Sequence, residues 1–387
     1  MKIFQVGGSV RDEIIGRTSK DRDWLVVGGS EKELLDAGFR RVGKYFPVFL
    51  HPETREEYAL ARTETKNNIG HTGFKTNVSK RITLEEDLAR RDFTVNAIAK
   101  DSKGQLIDPF GGLQDIQNHI LRHVTESFKE DPLRILRAAR FSATLGFRVA
   151  TETSSLMSQM VDSGELESLS VERVEREFRL AIAGNWPSYF FQTLKTCGAV
   201  SHLFPEIDSP EFYSENNRLF QTLKKYCELE DKSTERYVIF CFFVDKYSRE
   251  KNSKIQKIKT LTKKLNVPKN TVEMILLFNE YHDKIIQLNE LDSDTIMSLL
   301  EAVDAYRKSD RLLQLAEITG LIETPDLNPR KIELNVRFVA EILTETKKIT
   351  ASKIFTEKEI ASKHYREITS KVRNERVKRI DEIKNGF

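Results

Sequence analysis

The sequence predicts an α+β protein, with a small N-terminal α/β head followed by an all-helical remainder. Three observations carry that prediction. Residues 1 to about 124 alternate short β-like runs with helical ones, punctuated by glycines and prolines. After about Phe128, apolar residues recur at spacings of three and four, as at Leu133, Leu136 and Phe141, or Met274, Leu277, Phe278 and Tyr281. Convincing strands are absent from that second part. The stretch 7–23, GGSVRDEIIGRTSKDRD, reads as a glycine turn feeding a helix, then a loop, then a strand that opens on two aspartates.

Within the head, residues 3–6, 24–27, 48–50, 58–61 and 106–107 read as strands, and 12–16 and 30–37 as helices. In the helical part, Asp131-Pro132 reads as an N-cap followed by a first-turn proline. A chain of 387 residues implies two to four compact units, and 39% hydrophobic content supports a core in each. The net charge of only +3 means that any basic surface must arise by local segregation. Cys197, Cys227 and Cys241 are neither spaced as pairs nor near histidines, so a reducing compartment is expected. No apolar run approaches the roughly 18 residues that span a bilayer, so the expectation is a soluble cytoplasmic protein without membrane contact.

The chemistry begins at Asp21 and Asp23. Residues two apart on a strand project to one side, and paired carboxylates are hard ligands suited to Mg²⁺. Gly7-Gly8 lets backbone approach a phosphate, the following helix offers free N–H groups, and Arg11 lies in its first turn. Glycine for phosphate, arginine for charge and aspartates for metal together specify nucleotidyl or phosphoryl transfer. A third carboxylate would complete such a site, and Glu57, Glu56 and Glu64 compete for the role.

Next comes Arg90-Arg91-Asp92, read either as a surface ion pair or as a triphosphate clamp; Arg91 is favoured as clamp because Ala97-Ile98-Ala99 follow as if buried. The third constellation is EDPLRILRAARF from Glu130, with Asp131, Arg134 and Arg137 three apart and Arg140 a step further. Cytosine and adenine each present an amino donor beside a ring-nitrogen acceptor, and uracil and guanine present the reverse. A carboxylate beside a guanidinium therefore admits C and A and repels U and G. Asp131 reads equally as an N-cap, and the two roles are compatible. Residues 251–270 hold seven lysines and no acid, and 347–387 hold 12 Lys/Arg against 6 Asp/Glu. Each run reads as a solvated face or, beside nucleotidyltransferase motifs, as a contact for RNA phosphates.

Taken in order, GGSVRD, DRD, RRDFTVNA, IDPFGG, EDPLRILRAARF and SVERVEREF resemble the class II tRNA nucleotidyltransferases, the CCA-adding enzymes of the polymerase β superfamily. HPETREEYALARTE from His51 resembles the bacterial subgroup. The resemblance implies that Gly8 and Arg11 contact the nucleotide and that Asp21 and Asp23 bind Mg²⁺. It implies that Arg91, Arg137 and Arg140 hold the triphosphate and that Asp131 and Arg134 template the base. It implies a head at 1–124, a neck at 125–205, a body at 206–300 and a basic, tRNA-binding tail at 301–387. It places a flexible, full-length loop at 62–74, which favours addition of C, C and A, or of A alone, from CTP and ATP onto the tRNA 3′ end. Relatives of this subgroup often carry a metal-binding histidine-aspartate (HD) phosphohydrolase domain; here Phe242-Phe243 stand where its HD pair is expected, and phenyl rings ligate no metal. An A-adding enzyme, a poly(A) polymerase and a tRNA-binding module with an idle site are the rival readings.

Overall fold

The computed structural model describes every residue except 19–20, 44–47, 67–73, 208–209, 214–216, 227–232, 248–253, 324–328 and 387. Cys227, the middle of the expected loop at 62–74 and the start of the first basic run lie outside the described residues. The chain divides into two compact units, Met1–Asp208 and Ser209–Phe387.

The first unit opens with β1 (Lys2–Val6), α1 (Gly8–Ile14), β2 (Asp23–Val27), α2 (Glu31–Asp36), β3 (Arg40–Val42), β4 (Val48–Leu50) and β5 (Glu57–Leu60). There follow β6 (Arg62–Lys66), β7 (Phe74–Val78), α3 (Leu84–Ala89), β8 (Ala99–Lys100), β9 (Leu106–Ile107), α4 (Gly112–Asn118) and β10 (Ile120–Leu121). A seven-stranded mixed sheet runs in the order β3-β4-β5-β2-β1-β8-β9, with β2 and β5 parallel. Alternation along β2 sends Leu25 to one face and Val26 to the other. Leu25 joins Phe4, Val6, Leu88, Ala97 and Ala99, while Val26 joins Leu34, Phe49, Tyr58 and Leu60. The sheet is therefore cored on both sides, with Leu34 of α2 covering one face and Leu88 of α3 the other. Both helices start on a reciprocal capping box, Ser30 with Glu33 and Thr83 with Glu86.

The helical part of this unit comprises α5 (Leu133–Leu145), α6 (Thr151–Asp162), α7 (Val171–Ile182), α8 (Pro187–Thr196) and α9 (Ala199–Leu203). Its one departure from the expected all-helical pattern is a two-residue strand, β11 (Arg148–Val149), parallel to β10. Helix α5 packs on α7 and α8; Leu136 and Ala139 are fully buried on it, and Phe178, Phe190 and Phe191 on the facing helices. A Cβ on Gly184 would lie 2.4 Å from the Ala143 carbonyl, so only glycine permits the close approach there.

The second unit is helical among its described residues: α10 (Arg218–Tyr226), α11 (Ser233–Tyr247), α12 (Lys254–Lys264), α13 (Lys269–Ile286), α14 (Ser293–Ala302) and α15 (Ser309–Glu323). Then come α16 (Pro329–Lys347), α17 (Ala351–Ile354), α18 (Glu357–Ser362) and α19 (Tyr365–Gly386). On α13 the buried stripe runs Met274, Phe278, His282, with Tyr281 only half-buried, so histidine takes the core position expected of tyrosine. Phe242 of α11 lies against Phe278 and His282, at ring separations of 5.3 and 4.5 Å. The place expected for a metal-binding pair is thus an aromatic core. His282 and Asp283 form a histidine-aspartate doublet in sequence, with the imidazole 6% exposed and the carboxylate 97%, and they meet at 3.2 Å between Nδ1 and Oδ1. No described helix is long and apolar enough to cross a membrane.

Candidate active site

Four expectations about the elements need correction. The first helix begins at Gly8, not at residue 12, because Gly7 adopts φ 75°, ψ −138° and turns the chain straight from β1 into α1. The strand begins at Asp23, and Asp21 precedes it. Strand β1 pairs Val6 with Asp23 and then leaves the sheet at Gly7, so the β1–β2 ladder ends at Asp23. The ends of the expected loop, Arg62–Lys66 and Phe74–Val78, form an antiparallel two-stranded ladder. The assigned helix α5 begins at Leu133 with Pro132 at its cap, although the Asp131 carboxylate still accepts from the Leu133 N–H at 3.0 Å.

The turn, the strand and the double-arginine segment converge at Gly7. A Cβ built there would lie 2.8 Å from Arg91 Nη1 and 4.0 Å from Asp23 Oδ2. Burial pushes the Asp23 carboxyl up from its ordinary value; Arg91 pulls it partly back and the charge of Asp21 raises it again. Asp23 stands opposite Glu57 in the parallel β2–β5 register, on the same face of the sheet. Of the rival carboxylates, Glu56 is engaged by Trp24 Nε1 and Thr54 Oγ1, both at 3.1 Å, and Glu64 sits on the separate β6–β7 ladder. Of the three, Glu57 is the one in register with Asp23.

Arg91 is one-fifth exposed, lies 3.4 Å from Asp87 Oδ2, and donates from Nη1 to the Asn96 carbonyl at 3.4 Å. Its buried Nε has no hydrogen-bond partner. Burial pulls this guanidinium down from its ordinary value, with Asp87 opposing in part. Asp87 itself is fully buried and also receives Arg90 at 2.8 Å and the Arg62 N–H at 3.2 Å. A half-buried cation with one donor unspent, held by long hydrogen bonds, fits an anion to come.

Arg11, Arg137 and Arg140 gather round the phenyl ring of Phe141, with guanidinium carbons 5.1, 5.3 and 3.8 Å from its centroid. Arg11 donates to Asn96 Oδ1 at 2.5 Å, Asn96 Nδ2 to Asp92 Oδ1 at 3.0 Å, and Arg137 Nε to Asp92 Oδ2 at 2.7 Å. Burial alone would raise the Asp92 carboxyl; Arg137, Asn96 and Arg134 together outweigh it and hold the group well below the usual range. For Arg140, burial lowers the guanidinium, Glu177 opposes, and the like charge of Arg137 lowers it further.

The couple expected to read the base is present but occupied. Arg134, nearly buried, donates to the carbonyls of Ser127 at 2.8 Å and Arg90 at 2.6 Å. Asp131 receives Arg173 at 2.8 Å through its second oxygen. Gly8 lies beside Arg11, where an added Cβ would meet Nη2 at 3.6 Å, an ordinary contact. Sequence reasoning assigned no site role to Asp87, Asn96, Phe141, Arg173 or Glu177, and read Asp92 only as the acid of a surface ion pair. The signal was there: Asp92/Asn96 and Arg173/Glu177 are each four apart.

These contacts give the two glycines different duties. Gly7→Ala must adopt a glycine-only backbone and displace Arg91, which should destabilise the fold by about 2 kcal/mol and impair activity. Gly8→Ala should leave the thermal midpoint unchanged and raise only the KM for nucleotide; equal effects from both would refute the distinction.

Mg²⁺ keeps several waters and accepts substrate phosphates as ligands, so it needs few protein oxygens. Among the described residues no three of His, Cys, Asp and Glu close on one point, whereas Asp21 and Asp23 stand within electrostatic reach of each other. That open pair fits Mg²⁺ and fits no closed structural metal site.

Residues 3–122 match the poly A polymerase head domain, and residues 146–210 match the domain described as the probable RNA and SrmB-binding site of polymerase A. The whole chain is similar to a CCA-adding enzyme in its apo form II, with a TM-score of 0.70 at 22% identity over 98% of this chain and 88% of that one. It is similar to the Bacillus stearothermophilus CCA-adding enzyme in complex with CTP, with a TM-score of 0.70 at 21% identity over 97% and 87%. For the Thermotoga maritima CCA-adding enzyme complexed with tRNA-CCA, the TM-score is 0.64 at 21% identity over 100% and 90%. The chain thus carries a segment matching the poly A polymerase head domain and a second matching its probable RNA-binding site, on the fold of the CCA-adding enzymes.

Proposed function

We propose that this protein is a CCA tRNA nucleotidyltransferase, adding C, C and A without a nucleic-acid template to the tRNA 3′ end. The observation that carries the reading is the convergence at Gly7 of a carboxylate, Asp23, and an under-bonded arginine, Arg91. Acid for metal and cation for triphosphate meet at a turn that only glycine can make.

In this reading the nucleotide triphosphate lies against Gly8, with Arg11, Arg91, Arg137 and Arg140 spreading its charge. Asp21 and Asp23 would hold Mg²⁺, which when bound eases ionisation of the attacking hydroxyl and stabilises the leaving group. The 3′-hydroxyl attacks the α-phosphate in line and pyrophosphate leaves, still held by the arginines. Asp131 accepts from the base amino group and Arg134 donates to the ring nitrogen. Arg134 already donates to two carbonyls, which orient its guanidinium while spending two of its five N–H donors. The basic tail supports an RNA partner only in part, because Arg373 pairs with Asp294 and Glu301, and Arg379 with Glu345 and Glu382.

The test is product length. With CTP, ATP and Mg²⁺, tRNAs lacking one, two or three terminal nucleotides should all be extended to the same CCA end. Extension only of tRNA ending in CC would make it an A-adding enzyme, and long adenosine tails a poly(A) polymerase. Salt-sensitive tRNA binding with no incorporation would leave a non-catalytic binding module.

A further inference from the structure

We infer that Arg173, on α7, is a positioning residue that sets nucleotide choice by holding the Asp131 carboxylate in the orientation that accepts a base amino group. The inference rests on the reading of Asp131 as a base-reading group and extends it to a second helix.

The two oxygens of Asp131 are held from two directions. Oδ1 accepts from the Leu133 N–H at 3.0 Å, which satisfies the helix start. Oδ2 accepts from Arg173 Nη2 at 2.8 Å, which capping does not require. The terminal torsion of a carboxylate is intrinsically broad, so one bond leaves it free to rotate and two fix its plane. An ionised carboxylate offers about four lone-pair sites; two are spent here and two remain for a ligand. The pair is neither buried nor washed by solvent, since Arg173 is 25% exposed and Asp131 19%.

Helix α7 repeats the arrangement one turn later. Glu177, four residues after Arg173, pairs with Arg140. One face of α7 therefore carries an arginine for the acid that reads and an acid for an arginine that clamps. Without Arg173, Asp131 is left to Arg137, a cation within electrostatic reach of it. A carboxylate drawn that way turns from the base edge toward the phosphates, and discrimination between an amino group and a carbonyl fades.

The experiment measures kcat and KM for single additions of CTP, ATP, UTP and GTP to tRNA lacking CCA, using the full chain. Arg173→Ala should lower the CTP-over-UTP ratio of kcat/KM by about tenfold, the scale of one charge-assisted hydrogen bond. Arg173→Lys keeps the charge without the planar fork and should fall between. In an Asp131→Asn background, Arg173→Ala should change the ratio no further. A uniform fall for all four nucleotides, with the ratio kept, would overturn the inference, as would full discrimination in Arg173→Lys should the alanine variant not fold. If the unmodified protein itself fails to prefer C and A, the base-reading role of Asp131 falls, and this inference with it.

Discussion

Asp23→Ala is expected to lower nucleotide incorporation by about 10³-fold, the several kcal/mol that a bound metal contributes to charge stabilisation, with the unfolding midpoint unchanged. The argument has two parts. Asp23 stands at the first position of β2, outside both apolar clusters, so neither core of the sheet depends on its side chain. Its charge is moreover held at a cost: burial and Asp21 raise its pKa, and Arg91 offsets them only in part. A folded pKa above the unfolded one means that the ionised group opposes folding at neutral pH, so removing it costs no stability. Asp21→Ala should act alike. Rapid-quench incorporation and urea unfolding, run on the same preparation, check both halves; a variant that retains normal turnover removes the two-aspartate mechanism.

Asp92→Asn is expected to reverse that pattern, losing stability and weakening nucleotide binding together. Asp92 accepts from Arg137 and Asn96, and through Asn96 reaches Arg11, so one carboxylate orients two of the proposed triphosphate ligands. An amide there would confront Arg137 with a donor. With Asp92 only 7% exposed but the Arg137 side chain a third exposed, the loss should be about 2 kcal/mol at pH 7, below the 3–5 of a fully buried pair. The folded state holds this carboxyl below its ordinary value, so the unfolded chain takes up the proton first as pH falls. The stabilisation is whole above about pH 4 and fades as the solution becomes more acid. Urea midpoints of parent and variant should therefore differ at pH 7 and approach each other near pH 3. Equal midpoints at neutral pH would show that Asp92 is not the tie it appears in the hydrogen-bond network.

The sequence revealed those parts of the fold that leave an apolar signature. Residues 24–27 and 58–61 read as strands because Leu25, Val26, Tyr58 and Leu60 fill the two faces of one sheet. Arg40–Val42 and Arg62–Lys66 left no such mark: one is an edge strand of two arginines and a valine, the other a ladder with no apolar alternation. Strands β8, β10 and β11 are two residues long, too short for any period to show. The helix start at Gly8 was missed for a different reason, since it depends on a backbone angle and not on composition.

At the site, residue types were legible and partners were not. Three arginines on α5 announced an anion, but their real neighbours are 45 residues away at Asp92 and 37 away at Glu177. Spacing along one helix says which side chains share a face, and nothing about which distant acid meets them. Asp131 and Arg134 were read as a free couple for that reason, although each has other partners in the folded chain.

The guanidiniums clustered on Phe141 crowd like charges into a half-dry space. A protein bred only to survive heat would exchange one of them, together with the buried acid that holds it, for apolar residues and gain by it, as sites shaped for binding commonly yield stability at the expense of work. Robust but idle variants should accumulate here, and thermal screening of this enzyme needs an activity filter from its first round.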